Sequence, residues 1–78
     1  MEIKILGSGC AKCKKLEQAT RDAVNELNLG ANVEKVEDMM EIMRYGIAMT
    51  PAMVVDGRIV LKGRTATVEE IKKLLTNQ

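Results

Sequence analysis

Apolar residues fall into short blocks along the chain, and the spacing inside each block switches between two and three-to-four. Glu2-Ile3-Lys4-Ile5-Leu6 alternates and is β-branched, the mark of a half-buried strand. Gly7-Ser8-Gly9 breaks it. From Cys10 the period lengthens: Cys13, Leu16, Thr20, Ala23, Val24 and Leu27 recur on one helical face, with Lys12, Lys14, Glu17, Gln18, Arg21, Asp22 and Asn25 mostly elsewhere. Gly30 stands where a left-handed cap would end this helix. Asn32 to Glu37 carries Val33 and Val36 among charges and reads as a short strand. Asp38-Met39-Met40-Glu41 has capping-box spacing and predicts a short helix stopped by Gly46. After Met49-Thr50-Pro51, Ala52-Met53-Val54-Val55 is a strong strand. Asp56-Gly57 is the preferred type I′ hairpin pair, Arg58-Ile59-Val60-Leu61 the returning strand, and Gly63 its close. Thr67-Val68-Glu69-Glu70 is a second capping box. Val68, Ile71, Leu74 and Leu75 form its apolar stripe, and Lys72 and Lys73 suit the negative helix end.

The order is β-α-β-α-β-β-α, an α/β arrangement. Strands joined by a helix should run parallel with a right-handed crossover, and the last two strands should form an antiparallel hairpin. One four-stranded mixed sheet with helices on both faces is the economical solution. With 78 residues, a single domain spanning 1–78 is expected.

Composition removes several function classes. The net charge is +1 with acids and bases interspersed, which gives no basic patch for nucleic acid or a membrane surface. Tyr45 is the only aromatic ring, too few for stacking on single strands. No stretch approaches a membrane span, and the N-terminus lacks a signal-peptide pattern. A cytoplasmic, reducing location is therefore expected. There is no histidine, so the commonest general base and metal ligand are missing.

Against that background the two cysteines stand out. A disulfide-stapled secreted scaffold would carry more, spread along the chain, whereas Cys-x-x-Cys in a cytosolic protein reads as chemistry. Residues i and i+3 in a first helical turn lie about 5–6 Å apart, a separation a disulfide tolerates. Cys10 falls at the helix start, where free N–H groups and the positive dipole end favour a thiolate. Lys12, Lys14 and Lys15 add positive charge. Cys13 lies one turn in, on the apolar stripe, and should be buried. This asymmetry suits Cys10 as nucleophile and Cys13 as the resolving thiol in thiol–disulfide exchange. Thr50-Pro51 is the second signal, since a proline directly precedes a strong strand.

These stretches together resemble the thioredoxin-like superfamily, and in particular its small thioredoxin/glutaredoxin-like redox-active disulfide proteins of archaea and bacteria. The carriers are Gly7-Ser8-Gly9-Cys10-Ala11-Lys12-Cys13, Tyr45-Gly46-Ile47-Ala48-Met49-Thr50-Pro51-Ala52, Val55-Asp56-Gly57, and Gly63-Arg64 before Val68-Glu69-Glu70-Ile71. The resemblance implies a thioredoxin-like fold, a redox disulfide Cys10–Cys13, and a cis Pro51 flanking Cys10. It also implies a Thr50 backbone free to pair with an extended substrate. Three departures stand beside it. Ala11-Lys12 replaces the Gly-Pro of thioredoxins, Lys4 occupies the place of their buried acid, and a single Gly63 followed by Arg64 replaces the Gly-Gly…Asp pattern with which glutaredoxins hold glutathione.

Lys4 has two readings: a desolvated lysine that tunes the cysteines or accepts a proton from Cys13, or a lysine whose stem lies on the sheet while its amine reaches water. Met39, Met40, Met43, Met49 and Met53 are expected to fill gaps in a core poor in rings. Those near Pro51, Met49 above all, would form an adaptable rim for substrate. Tyr45 should be a half-buried ring with a wet hydroxyl.

A Cys-x-x-Cys module for copper or zinc is the rival class. Copper-chaperone domains, however, run β-α-β-β-α-β and end in a strand, and a tetrahedral zinc site needs two further ligands. A non-catalytic interaction module is a third class, disfavoured by the retained pair. The sequence therefore reads as a protein disulfide oxidoreductase, monomeric, with no bound cofactor. Its partners would be protein disulfide substrates and an electron-supplying reductase or dithiol.

Overall fold

The computed structural model describes residues 1–77; Gln78, the last residue of the expected 1–78 domain, lies outside them. The elements are β1 (Glu2–Leu6), α1 (Ala11–Leu27), β2 (Asn32–Val36), α2 (Met39–Arg44), β3 (Ala52–Val55), β4 (Arg58–Lys62) and α3 (Val68–Thr76). The strands form one sheet in the order β2-β1-β3-β4. β1 and β2 pair in parallel, while β1–β3 and β3–β4 pair antiparallel. The expected α/β class, element order and mixed sheet are all present, and the fold is thioredoxin-like. The element order, with α2 standing between β2 and β3, differs from the β-α-β-β-α-β order behind the copper-chaperone reading.

Strand alternation sorts side chains onto two faces. Ile3 and Ile5 of β1 and Met53 and Val55 of β3 face α1 and α3, packing with Leu16, Ala23, Val24, Ile71 and Leu75. The other face carries Leu6, Ala52 and Val54, with Val36, Ile42, Ile47 and the flanking Tyr45. Helices therefore cover both faces, α1 and α3 on one and α2 on the other. Each fully buried aliphatic side chain in these layers contributes about 1.5–3 kcal/mol. Thr20, the buried polar residue of the α1 stripe, donates its hydroxyl to the Leu16 carbonyl at 2.7 Å.

The caps follow the sequence with one exception. Asp38 accepts from Met40 N–H at 2.9 Å and Thr67 accepts from Glu70 N–H at 3.1 Å, so both capping signals form. Gly46 takes a positive φ of 72° just past α2, as expected. The end of α1 is different, because Asn28 rather than Gly30 is its left-handed cap, with φ 53°. Asn28 N–H reaches Asn25 O and Leu29 N–H reaches Val24 O, the paired bonds of a Schellman turn. Asparagine tolerates this conformation, and the apolar stripe has already ended at Leu27. In the β3–β4 hairpin, Asp56 and Gly57 have φ 47° and 85°, as a type I′ turn requires. Beyond it Met53 pairs with Leu61 but Val54 with Ile59, so Val60 is the extra residue of a bulge.

The methionines correct an expectation. Met53 is buried in the core, but Met39, Met40, Met43 and Met49 are 58–67% exposed. α2 is a single short helix that buries only Ile42, so the methionines around it have no core to fill.

Candidate active site

The site is built at the junction of β1 and α1. β1 stops at Leu6, and Gly7 N–H donates to the Val36 carbonyl at 3.0 Å, tying the loop to the end of β2. Cys10 is the N-cap residue of α1, with φ −69° and ψ 166°. Its Sγ accepts from Cys13 N–H at 3.2 Å, and its carbonyl takes Lys14 N–H at 3.0 Å. A sulfur therefore does the work of a capping oxygen at the positive end of a 17-residue helix. Cys10 and Cys13 are joined as a disulfide with their Cα atoms 5.0 Å apart. Cys10 is exposed, whereas Cys13 is only 5% exposed among the α1 stripe. Cys13 is buried, as its place on the apolar stripe leads one to expect.

Gly7 holds the pair against the rest of the site. A Cβ there would collide with Cys13 Sγ, 3.1 Å from Cys13 Cβ and 3.9 Å from Pro51 Cα. Only a residue without a side chain lets the sulfur and the proline flank this backbone together. The sequence read Gly7 merely as a strand breaker. Its role arises from Cys13 and Pro51, which meet it only in the fold.

On the other side of Gly7, the Thr50–Pro51 peptide is cis, Pro51 is fully buried and Thr50 is exposed. The Pro51 carbonyl accepts from Gly63 N–H at 2.8 Å. Met49 lies over Gly63, with its Cε 3.3 Å from the position of a Cβ there, and is 65% exposed. Cys13, Gly7 and Pro51 thus form one cluster, with Met49 and Gly63 as its outer rim. Lys12 is exposed in the first turn after Cys10.

Lys4 has a different setting. It alternates with Ile3 and Ile5, so it lies on the α2 face of the sheet. The Tyr45 hydroxyl beside its amine, aided by Glu34 and Glu41, holds it above the usual lysine value despite some desolvation. That direction runs against a lysine poised to accept a proton from Cys13; the amine stays cationic. Tyr45 is half-buried, as expected, but its hydroxyl partners Lys4.

Two surface depressions, about 420 and 300 Å³, flank Lys4 and Tyr45 on this face, and neither is lined by a cysteine. Disulfide exchange needs an exposed sulfur and an open backbone edge rather than a cavity. Among the described residues, no group of three or more Cys, Asp or Glu side chains is placed to hold a metal ion.

An exposed sulfur at a helix start, a sheltered partner one turn in and a buried cis proline behind them define a dithiol–disulfide exchange protein. Comparison with known proteins gives the same class. Residues 1–76 match the model of the thioredoxin domain family, and the chain belongs to that family. It is 45% identical over 76 residues to a thioredoxin of Methanothermobacter thermautotrophicus, covering 97% of this chain and 99% of the relative. It is 40% identical over 73 residues to a thioredoxin of Methanocaldococcus jannaschii, covering 94% and 84%. The chain is a thiol–disulfide oxidoreductase of this family. Among the described residues, no helix is long and apolar enough to cross a membrane.

Proposed function

We propose that the protein reduces protein disulfides through a mixed-disulfide intermediate, with Cys10 as nucleophile and Cys13 as resolving thiol. The observation that carries this reading is the unequal exposure of the two cysteines. The Cys10 thiolate attacks one sulfur of a substrate disulfide. That S–S bond breaks, a Cys10–substrate bond forms, and the departing sulfur leaves as a thiolate that takes up a proton. Cys13 then loses its proton and attacks Cys10 Sγ. The intermolecular bond breaks, the Cys10–Cys13 disulfide forms, and the substrate leaves fully reduced. Two electrons have moved from the dithiol to the substrate, and the two thiol protons balance the new substrate thiols. A reductase or dithiol donor restores the pair.

Exposed Thr50, on the cis bond to Pro51, would pair its backbone with an extended substrate segment, and Met49 would supply an adaptable apolar contact. Lys12, exposed in the first turn after Cys10, adds to the electropositive setting of the thiolate. The reading assigns the protein to a reducing cytoplasm, as one monomeric domain. Cys13→Ser tests it. This variant should accumulate a mixed disulfide between Cys10 and one substrate sulfur, detected by mass, with the substrate's other sulfur released as an alkylatable thiol. Cys10→Ser should form no adduct and lose insulin reduction. An adduct on Cys13 in the Cys10→Ser variant at the same rate would reverse the assignment.

A further inference from the structure

The mechanism above leaves unused an acid that lies beside the reactive loop. The bond from Gly7 N–H to the Val36 carbonyl brings the end of β2 against that loop. Glu37, the next residue, places its Oε2 3.4 Å from where a Cβ on Gly9 would be. Gly9 directly precedes Cys10 and holds a left-handed φ of 84°. The Glu37 side chain is 55% exposed and weakly paired, with Lys35 Nζ 4.0 Å away. Lys35 is shared with Glu17 at 3.8 Å, and Glu17 already binds Arg21 at 3.0 Å. An exposed pair of this length neutralises little.

We propose that Glu37 acts as an electrostatic brake on Cys10: its carboxylate opposes the negative charge that Cys10 Sγ carries once the disulfide is reduced. The brake lowers thiolate reactivity at neutral pH and makes the pair a stronger reductant, because a less stable thiolate favours the disulfide. The inference rests on Cys10 being the attacking sulfur, as assigned above.

The other charges around the loop push the opposite way or are engaged. Lys12 and Lys14 follow Cys10 in the first turn and, with the helix N–H groups, favour the anion. Asp38 spends its carboxylate on the α2 cap. Arg64, beyond β4, is held by Glu70 at 2.9 Å. Glu37 is thus the acid positioned to oppose them. Covalent geometry from Gly9 to the Cys10 sulfur keeps the two charges within about 10 Å, and in a water-like dielectric a separation of about 8–10 Å biases thiolate formation about two- to threefold.

The test is the rate of iodoacetamide alkylation of Cys10 in the reduced protein from pH 4 to 9, compared between wild type, Glu37→Gln and the remote control Glu69→Gln. Glu37→Gln should react about two- to threefold faster near pH 6, merge with wild type at the alkaline plateau and leave the control unmoved. The difference should collapse in 1 M KCl, where screening acts within about 3 Å. The reduction potential of Glu37→Gln should be less negative. Superimposable profiles, slower alkylation, or a difference that persists in 1 M salt would each overturn the brake. Insulin reduction by the wild type is scored separately. A wild type that fails to reduce insulin while the Glu37→Gln profile shifts would sink the substrate reading and leave the brake standing.

Discussion

Gly7→Ala puts the geometry of the site under the most direct load. Gly7 does not occupy the left-handed region, so alanine meets no backbone strain there. The new methyl meets Pro51 Cα at 3.9 Å, an ordinary contact, but collides with Cys13 Sγ and lies only 3.1 Å from Cys13 Cβ. In the disulfide, that sulfur is anchored to Cys10 and cannot turn away. In the dithiol, the Cys13 side chain is free to adopt another rotamer. Forcing one methyl into a packed site costs about 1–3 kcal/mol. Most of this cost should fall on the oxidised form. For a two-electron couple, about 1.4 kcal/mol corresponds to 30 mV, so the potential should rise by about 20–60 mV. Redox titration in glutathione buffers, read by alkylation and mass, measures the shift, and urea unfolding of both redox forms measures its origin. Equal loss of stability in the two forms with an unmoved potential would refute the argument.

Three further outcomes are expected. The Arg64 guanidinium holds the Glu70 carboxyl below its ordinary value of 4.5. A depressed native value means stability present above pH 4.5 and lost as pH falls through the native value. Arg64→Met should flatten that acid-side decline of the urea midpoint, and an unchanged slope would remove the ion pair from the account. Leu16→Ala, at a position with 0% exposure, should lose about 2–5 kcal/mol by urea titration, and a loss under 1 kcal/mol would contradict its core placement. Asn28→Ala forces a methyl-bearing residue into φ 53° and should cost about 1 kcal/mol, visible as a lower melting temperature.

Local patterns predict the structure where local physics decides. The alternation of Ile3 and Ile5, the stripe from Cys13 to Leu27 and the Asp56-Gly57 turn each carry their own geometry, so element order and sheet type followed. The cap of α1 falls at Asn28, two residues before the Gly30 that the pattern suggests, because both residues adopt a left-handed turn and the end of the stripe decides between them. Composition points the methionines of α2 into the core because methionine is a common filler. The helix proved too short to bury more than Ile42. Lys4, Gly7 and Glu37 were beyond local reading for a shared reason. The settings of Lys4 and Gly7 are fixed by Tyr45, Cys13 and Pro51, and that of Glu37 by the loop at Gly9. None of these neighbours lies close to its residue in the chain, except Cys13, which helical geometry alone did not bring back to Gly7.

The strand order leaves β2 and β4 as two open rims on which further molecules could stack. β4 begins with Arg58 and ends with Lys62, and the Val60 bulge breaks its hydrogen-bond ladder between them. A neighbour attempting to extend the sheet there would meet cations at both ends and a ladder out of step in the middle. The molecule thereby discourages the fibrous self-assembly that an unguarded β-rim invites.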